Sequence, residues 1–160
     1  MNQKSLVALL KSFESAEWSE REIDGVGESL KWLPIISYKD HCFGLTADGI
    51  WRGEYSDQCR VTQQDFFIAF VSLLELDRVD SIAHISEAIA KVGLPANVIR
   101  TFPFDCIMLT ALKSSTYWQD LAVKWLDGGY PVSAEIALHL PELKSVVMWQ
   151  KERIERILNA

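Results

Sequence analysis

Two tryptophans on one helical face, followed by a pair of glycines, set the strongest limit on how this chain can fold. Trp118, Leu121, Ala122, Trp125 and Leu126 recur at intervals of three and four residues. That spacing makes one side of a helix apolar and aromatic. Ser115 or Thr116 can cap its start by accepting from amides that lack a helical partner. Gly128 and Gly129 supply the left-handed backbone that ends a helix. Pro131 and Ser133 stand where a second helix would begin, and Ile136, Leu138 and Leu140 follow. The stretch Thr116 to Leu140 therefore predicts a helical hairpin.

Helical patterning extends to both sides. Leu6, Leu9, Leu10 and Phe13 form one stripe, predicting an amphipathic helix from Gln3 to about Ala16. Everything beyond Val61 reads as helix. Thr62 with Asp65 resembles a capping box, and Phe66 to Leu76 is apolar nearly all round, as a central helix would be. Asp80 caps a helix with Ile82, Ile85, Ile89 and Val92 on its stripe, and Gly93 ends it. Short helices are expected over Pro95–Thr101 and Asp105–Lys113, and a longer one from Pro141 to about Leu158.

Strand signals are confined to the first third. Asp48-Gly49 is a hairpin turn, with Phe43 and Leu45 on one arm and Ile50 or Trp51 on the other. Leu30 to Tyr38 contains Pro34, which removes a ladder hydrogen bond and argues for an edge strand or an irregular extended segment. Glu17 to Ser29, rich in charge and broken by Gly25 and Gly27, reads as a solvated loop. The expected fold is mainly α: an antiparallel helical bundle or stack with a small N-terminal antiparallel β ribbon of two or three strands, in a single domain over residues 1–160.

Composition narrows the function. No apolar run approaches the roughly 20 residues that span a bilayer. In MNQKSLVALLKSFES, Lys11 and Glu14 come too early for a secretory signal, so that segment reads as helix. Cys42, Cys59 and Cys106 are an unpatterned odd set, expected as reduced thiols in a cytoplasmic protein. The net charge of −6 lies in the first half: residues 1–80 hold 14 acids and 8 bases, residues 81–160 hold 8 of each. Nucleic-acid binding, which needs clustered Lys and Arg, is disfavoured.

Chemical motifs are sparse. His41, Cys42, Cys59 and His84 have the ligand types for zinc without the paired spacing that structural sites use. Cys42 beside His41 is the best nucleophile candidate, but neighbours on a strand point to opposite faces. Cys106 lies in an apolar helix and reads as core. Asp40, Asp48, Glu54 and Asp57 could support acid–base chemistry, yet turn formation and solubility explain them as well. No phosphate-binding, nucleophile-elbow, metalloprotease or EF-hand pattern is present. The sequence thus predicts no catalytic residue, no cofactor and no metal.

One constellation points to a partner. Glu14, Glu17, Glu20, Glu22, Asp24 and Glu28 surround Trp18, opposed only by Arg21. An aromatic anchor ringed by carboxylates suits a basic protein surface, whereas charge runs of this kind often serve only to solvate a face. In general character, a small acidic α-rich chain without catalytic motifs resembles bacterial immunity proteins of contact-dependent and related polymorphic toxin systems. The resemblance implies a non-catalytic binding module that neutralises a cationic, nuclease-type toxin domain. The alternative is a small enzyme or ligand-binding protein whose aromatic pocket, between ribbon and helices, is lined by Trp32, Trp51, Tyr55 and His41. A third reading has the C-terminal helix assembling a structural subunit. Oligomeric state is left open by the sequence.

Overall fold

Ser19–Ile23 is a strand by virtue of its pairing rather than of any apolar pattern of its own. In the computed structural model, which describes residues 1–15, 17–55, 60–63, 67–142 and 148–159, β1 (Ser19–Ile23) is the first of five. It runs antiparallel to β2 (Ser29–Tyr38), with Ser19 opposite Trp32 and Glu22 opposite Ser29. The turn between them places Gly25 and Gly27 at φ of 72° and 76°, a conformation that side chains with a Cβ resist. The two glycines that suggested a loop therefore build a hairpin.

β2 continues into β3 (His41–Thr46), and β3 into β4 (Trp51–Tyr55), through further antiparallel pairings. Pro34 lies inside β2 opposite Gly44 of β3, but past Trp32, where the pairing with β1 ends. Its missing amide therefore faces a side with no ladder partner among the described residues, although β2 as a whole is not an edge strand. A register shift follows it, leaving Ile35 outside the ladder as a bulge between Pro34 and Ile36. β5 (Arg60–Val61) pairs antiparallel with β4 and parallel with β1, closing a five-stranded barrel. The parallel seam follows from parity: each connection reverses direction, so the first and last of five strands run the same way.

The expected helical bundle with a two- or three-stranded ribbon is thus overturned by a closed mixed barrel alongside the helices. The physical reason lies in the missed strand β1 and the two-residue β5. Together they turn an open ribbon, which leaves backbone groups unpaired, into a sheet without free edges.

The chain divides into two compact units, residues 1–70 with 82–103, and residues 71–81 with 104–160. The first holds the barrel and α1 (Gln3–Ser12), which is shorter than its stripe predicted because Phe13 is already extended. Leu6 and Leu10 of α1 are buried. Phe43 of the barrel packs against Phe70 with ring centres 4.4 Å apart, and Trp51 meets Phe102 edge-on at 4.9 Å. Phe70 belongs to a 3₁₀ helix, Ile68–Glu75, where an α-helix from Phe66 was expected. Phe66 and Asp65, and with them the expected capping box, fall outside the described residues. A second 3₁₀ helix, Ala96–Thr101, follows Pro95. The helix α2 (Arg78–Lys91) starts two residues before Asp80, which therefore lies in its first turn instead of capping it, and buries Ile85 and Ile89.

The second unit is helical: α3 (Phe104–Leu112), α4 (Thr116–Asp127), α5 (Ala134–His139) and α6 (Met148–Leu158). Its centre is Trp125, 2% exposed, whose indole N–H donates to the carbonyls of Leu74 and Leu76 at 3.2 and 3.0 Å. Ser133 caps α5 through its hydroxyl, accepting from the Ile136 amide at 3.3 Å.

Candidate partner-binding site

Trp18 sits in the connection from α1 to β1, half-buried, with its indole N–H donating to the Phe13 carbonyl at 3.2 Å. That bond fixes the ring where the chain leaves the helix. Beside it lies an open groove of about 570 Å³ lined by Leu10, Phe13, Trp18 and Ala47, with Lys11, Glu14, Ser15 and Lys31 around them. The remaining carboxylates divide into two groups. Glu17 and Glu20 are exposed and, like Glu14 and Glu28, make no ion pair among the described residues. Glu22 and Asp24, by contrast, lie 3.8 and 3.7 Å from Arg60, brought in by β5.

The asymmetry of charge along the sequence is redistributed by folding. The first unit has twelve carboxylates against nine cations, the second ten against seven, so each carries −3. The acidic character near Trp18 is therefore local: it rests on Glu14, Glu17 and Glu20, with Glu28 at the turn.

A second cluster went unread in the sequence. Register places Arg21, Trp32, Cys42, Gly44, Arg52 and Glu54 on one face of the sheet, and Leu33, Phe43, Leu45 and Trp51 on the other. The first face is the barrel interior, because Arg21 and Glu54 touch although β1 and β4 are not neighbours. The Arg21 guanidinium also lies 5.6 Å from the Trp32 ring centre, within the range of a cation–π contact. Arg52, 6% exposed, donates to the Thr62 carbonyl at 2.5 Å. Of these contacts, Arg21–Glu54 joins strands that are not neighbours, and no pattern in Ser19–Ile23 announced it.

Other candidates are dispersed. Cys42 points inward near Ser37 and Glu54, and burial raises its thiol pKa above the ordinary value. His41, its neighbour, lies on the opposite face near Phe43. His84 hydrogen-bonds the Ser37 carbonyl at 3.1 Å and meets Tyr38 edge-on, as a packing residue does. Asp48 accepts from the Thr46 hydroxyl in its turn. Cys59 and Asp57 lie outside the described residues. Among the described residues no three His, Cys, Asp or Glu converge as metal ligands. Trp32 and Trp51 face opposite sides of the sheet, so they do not line one aromatic pocket; Trp51 instead donates to Thr101 at 3.1 Å.

Compared with protein-family models, curated proteins and solved structures, the chain matches none. No helix among the described residues is long and apolar enough to cross a membrane.

Proposed function

We propose that this chain is a non-catalytic protein-binding module of the cytoplasm that meets a basic partner through the face around Trp18. The observation that carries the reading is the half-buried indole, held by Phe13 beside an open groove and flanked by carboxylates at Glu14, Glu17 and Glu20 that make no ion pair among the described residues. A fixed aromatic costs little ordering entropy on binding, and uncompensated charges speed encounter with a surface of opposite sign. An immunity-type role against a cationic nuclease-type toxin domain is the specific form this reading takes. Under it the carboxylates occupy a groove built for phosphates.

The test is surface plasmon resonance of the immobilised chain against cationic nuclease domains, beginning with any encoded beside it. Association should slow as salt rises, because exposed charges are screened. Reversing Glu14, Glu17 and Glu20 to Lys should slow it by roughly tenfold or more, the scale of electrostatic steering. Association unchanged by that triple reversal would overturn the assignment, as would a failure of every such domain to bind.

A further inference from the structure

The groove beside Trp18 has walls of a different sign from the sequence around it. Lys11, in the last turn of α1, and Lys31, on β2, line it together with Glu14, so two ammonium groups stand against one carboxylate. Neither lysine has an ion-pair partner among the described residues. Glu20 is the cross-strand neighbour of Lys31, but the two side chains form no ion pair. The carbonyl end of α1 would ordinarily favour cations here. Two of its last carbonyls are already engaged, Leu9 by the Ser12 hydroxyl at 2.9 Å and Leu10 by the Phe13 amide at 3.3 Å, and the Phe13 carbonyl beyond them accepts from Trp18.

From this charge complementarity we infer that the groove receives a partner segment in which apolar side chains are flanked by carboxylates. The apolar part packs between Leu10, Phe13 and Trp18, and the carboxylates reach Lys11 and Lys31. The inference rests on the binding-module reading and sharpens it: a partner that is basic opposite Glu17 and Glu20 is acidic at the anchor itself. Such a mixed pattern discriminates among basic proteins, because one lacking the acidic element sets its cations against Lys11 and Lys31.

Three blocked tetrapeptides test it: Leu-Phe flanked on both sides by Glu, by Lys or by Ser. Each is titrated into the full ¹⁵N-labelled chain to millimolar concentration and followed by the Trp18 indole and the Lys31 and Ala47 amides. The Glu peptide should shift these signals and bind more tightly than the Ser peptide, and the Lys peptide should bind most weakly. In the Lys11→Glu/Lys31→Glu variant the order should invert, with the Glu peptide weakened by roughly fivefold, the scale of two exposed ion pairs. Both lysines are exposed, so the variant should fold, and its unliganded spectrum verifies that. A Lys peptide that binds as well as the Glu peptide overturns the inference. So does an order the double variant leaves unchanged, or no shift with any peptide. None of these outcomes touches the Glu14, Glu17 and Glu20 reversals on a whole basic domain, so the two readings fail separately.

Discussion

Arg21 and Glu54 form an ion pair across the barrel interior, joining β1 to β4, which share no ladder hydrogen bonds. Their side chains are 24% and 13% exposed, and the Trp32 ring lies under the guanidinium. Removing one member strands the other charge in a poorly hydrated place. Glu54→Leu should therefore cost about 2–3 kcal/mol, toward the low side for a buried pair because Arg21 keeps some contact with water. Arg21→Met with Glu54→Leu should cost less than Glu54→Leu alone. Urea unfolding of the two single variants and the double variant measures the coupling. Strictly additive losses would show that the pair does not act as one.

The approach of Trp32 to Gly44 leaves no room for a methyl group. A Cβ added at Gly44 would lie 2.1 Å from the Leu33 carbonyl oxygen and 2.8 Å from the indole. Backbone cannot yield as a flexible side chain does, so Gly44→Ala should lose about 3 kcal/mol or more. Gly53, one strand over, is the control. A Cβ there would sit 3.4 Å from Ala69 and 3.5 Å from Phe43 and Phe70, close to ordinary contact. Gly53→Ala should fall within about 1 kcal/mol of the parent, since the lower entropy of its unfolded chain offsets modest crowding. Equal thermal stability of the two variants would contradict this account.

The helical half of the chain was legible because its signals are local. The stripe Trp118, Leu121, Ala122, Trp125, Leu126 and the Ser133 cap each specify a turn of helix without help from elsewhere. The barrel was not, because its closure is a long-range event. Ser19–Ile23 buries no residue fully and has charge at three of five positions, so its alternation separates Arg21 from Glu20 and Glu22 rather than apolar from polar. Arg60–Val61 is too short to carry any pattern. At the candidate site, Trp18 and its carboxylates could be read from sequence neighbours. Lys31, Arg60 and Ala47 could not, since only the fold brings β2, β5 and the β3–β4 turn near them.

Trp125 supplies bulk and a donor to the second unit, and these can be separated. Trp125→Phe keeps a ring but leaves the Leu74 and Leu76 carbonyls without the indole N–H. The expected loss is about 1–3 kcal/mol, the cost of stranding buried polar groups. Trp125→Ala removes the ring as well and should lose about 3–5 kcal/mol. Denaturant unfolding followed by circular dichroism resolves the difference. Equal losses would mean that the ring contributes nothing beyond its donor, and an unchanged Trp125→Phe would mean that the hydrogen bonds contribute nothing.

Cys42 and Cys106 should differ in reactivity. The thiolate is the nucleophile, and burial holds the Cys42 thiol protonated beyond its ordinary range, with the Glu54 charge acting in the same sense. Cys106, expected in the core, is instead exposed on α3. Alkylation with iodoacetamide at mildly alkaline pH, followed by peptide mass spectrometry, should label Cys106 first and Cys42 only slowly. Glu54→Gln should hasten labelling of Cys42 by removing one of the charges that disfavours its thiolate. Faster labelling of Cys42 than of Cys106 in the parent would refute the placement of its thiol.

Tyr130 makes the second unit sensitive to alkali. Its hydroxyl donates to the Asp105 carboxylate, and desolvation together with that bond raises its pKa well above the reference value of 10.0. The unfolded chain therefore releases this proton at a lower pH than the folded one. Below pH 10.0 the contribution to stability is fully present; above it the contribution shrinks as pH climbs toward the folded value. Tyr130→Phe has no proton to lose, so its stability should decline less steeply over the same range, even though it starts lower for want of the hydrogen bond. Urea midpoints of parent and variant, compared at neutral pH and above pH 10.0, give the readout. Parallel declines would show that Tyr130 titrates alike in both states and that Asp105 does not hold its proton in place.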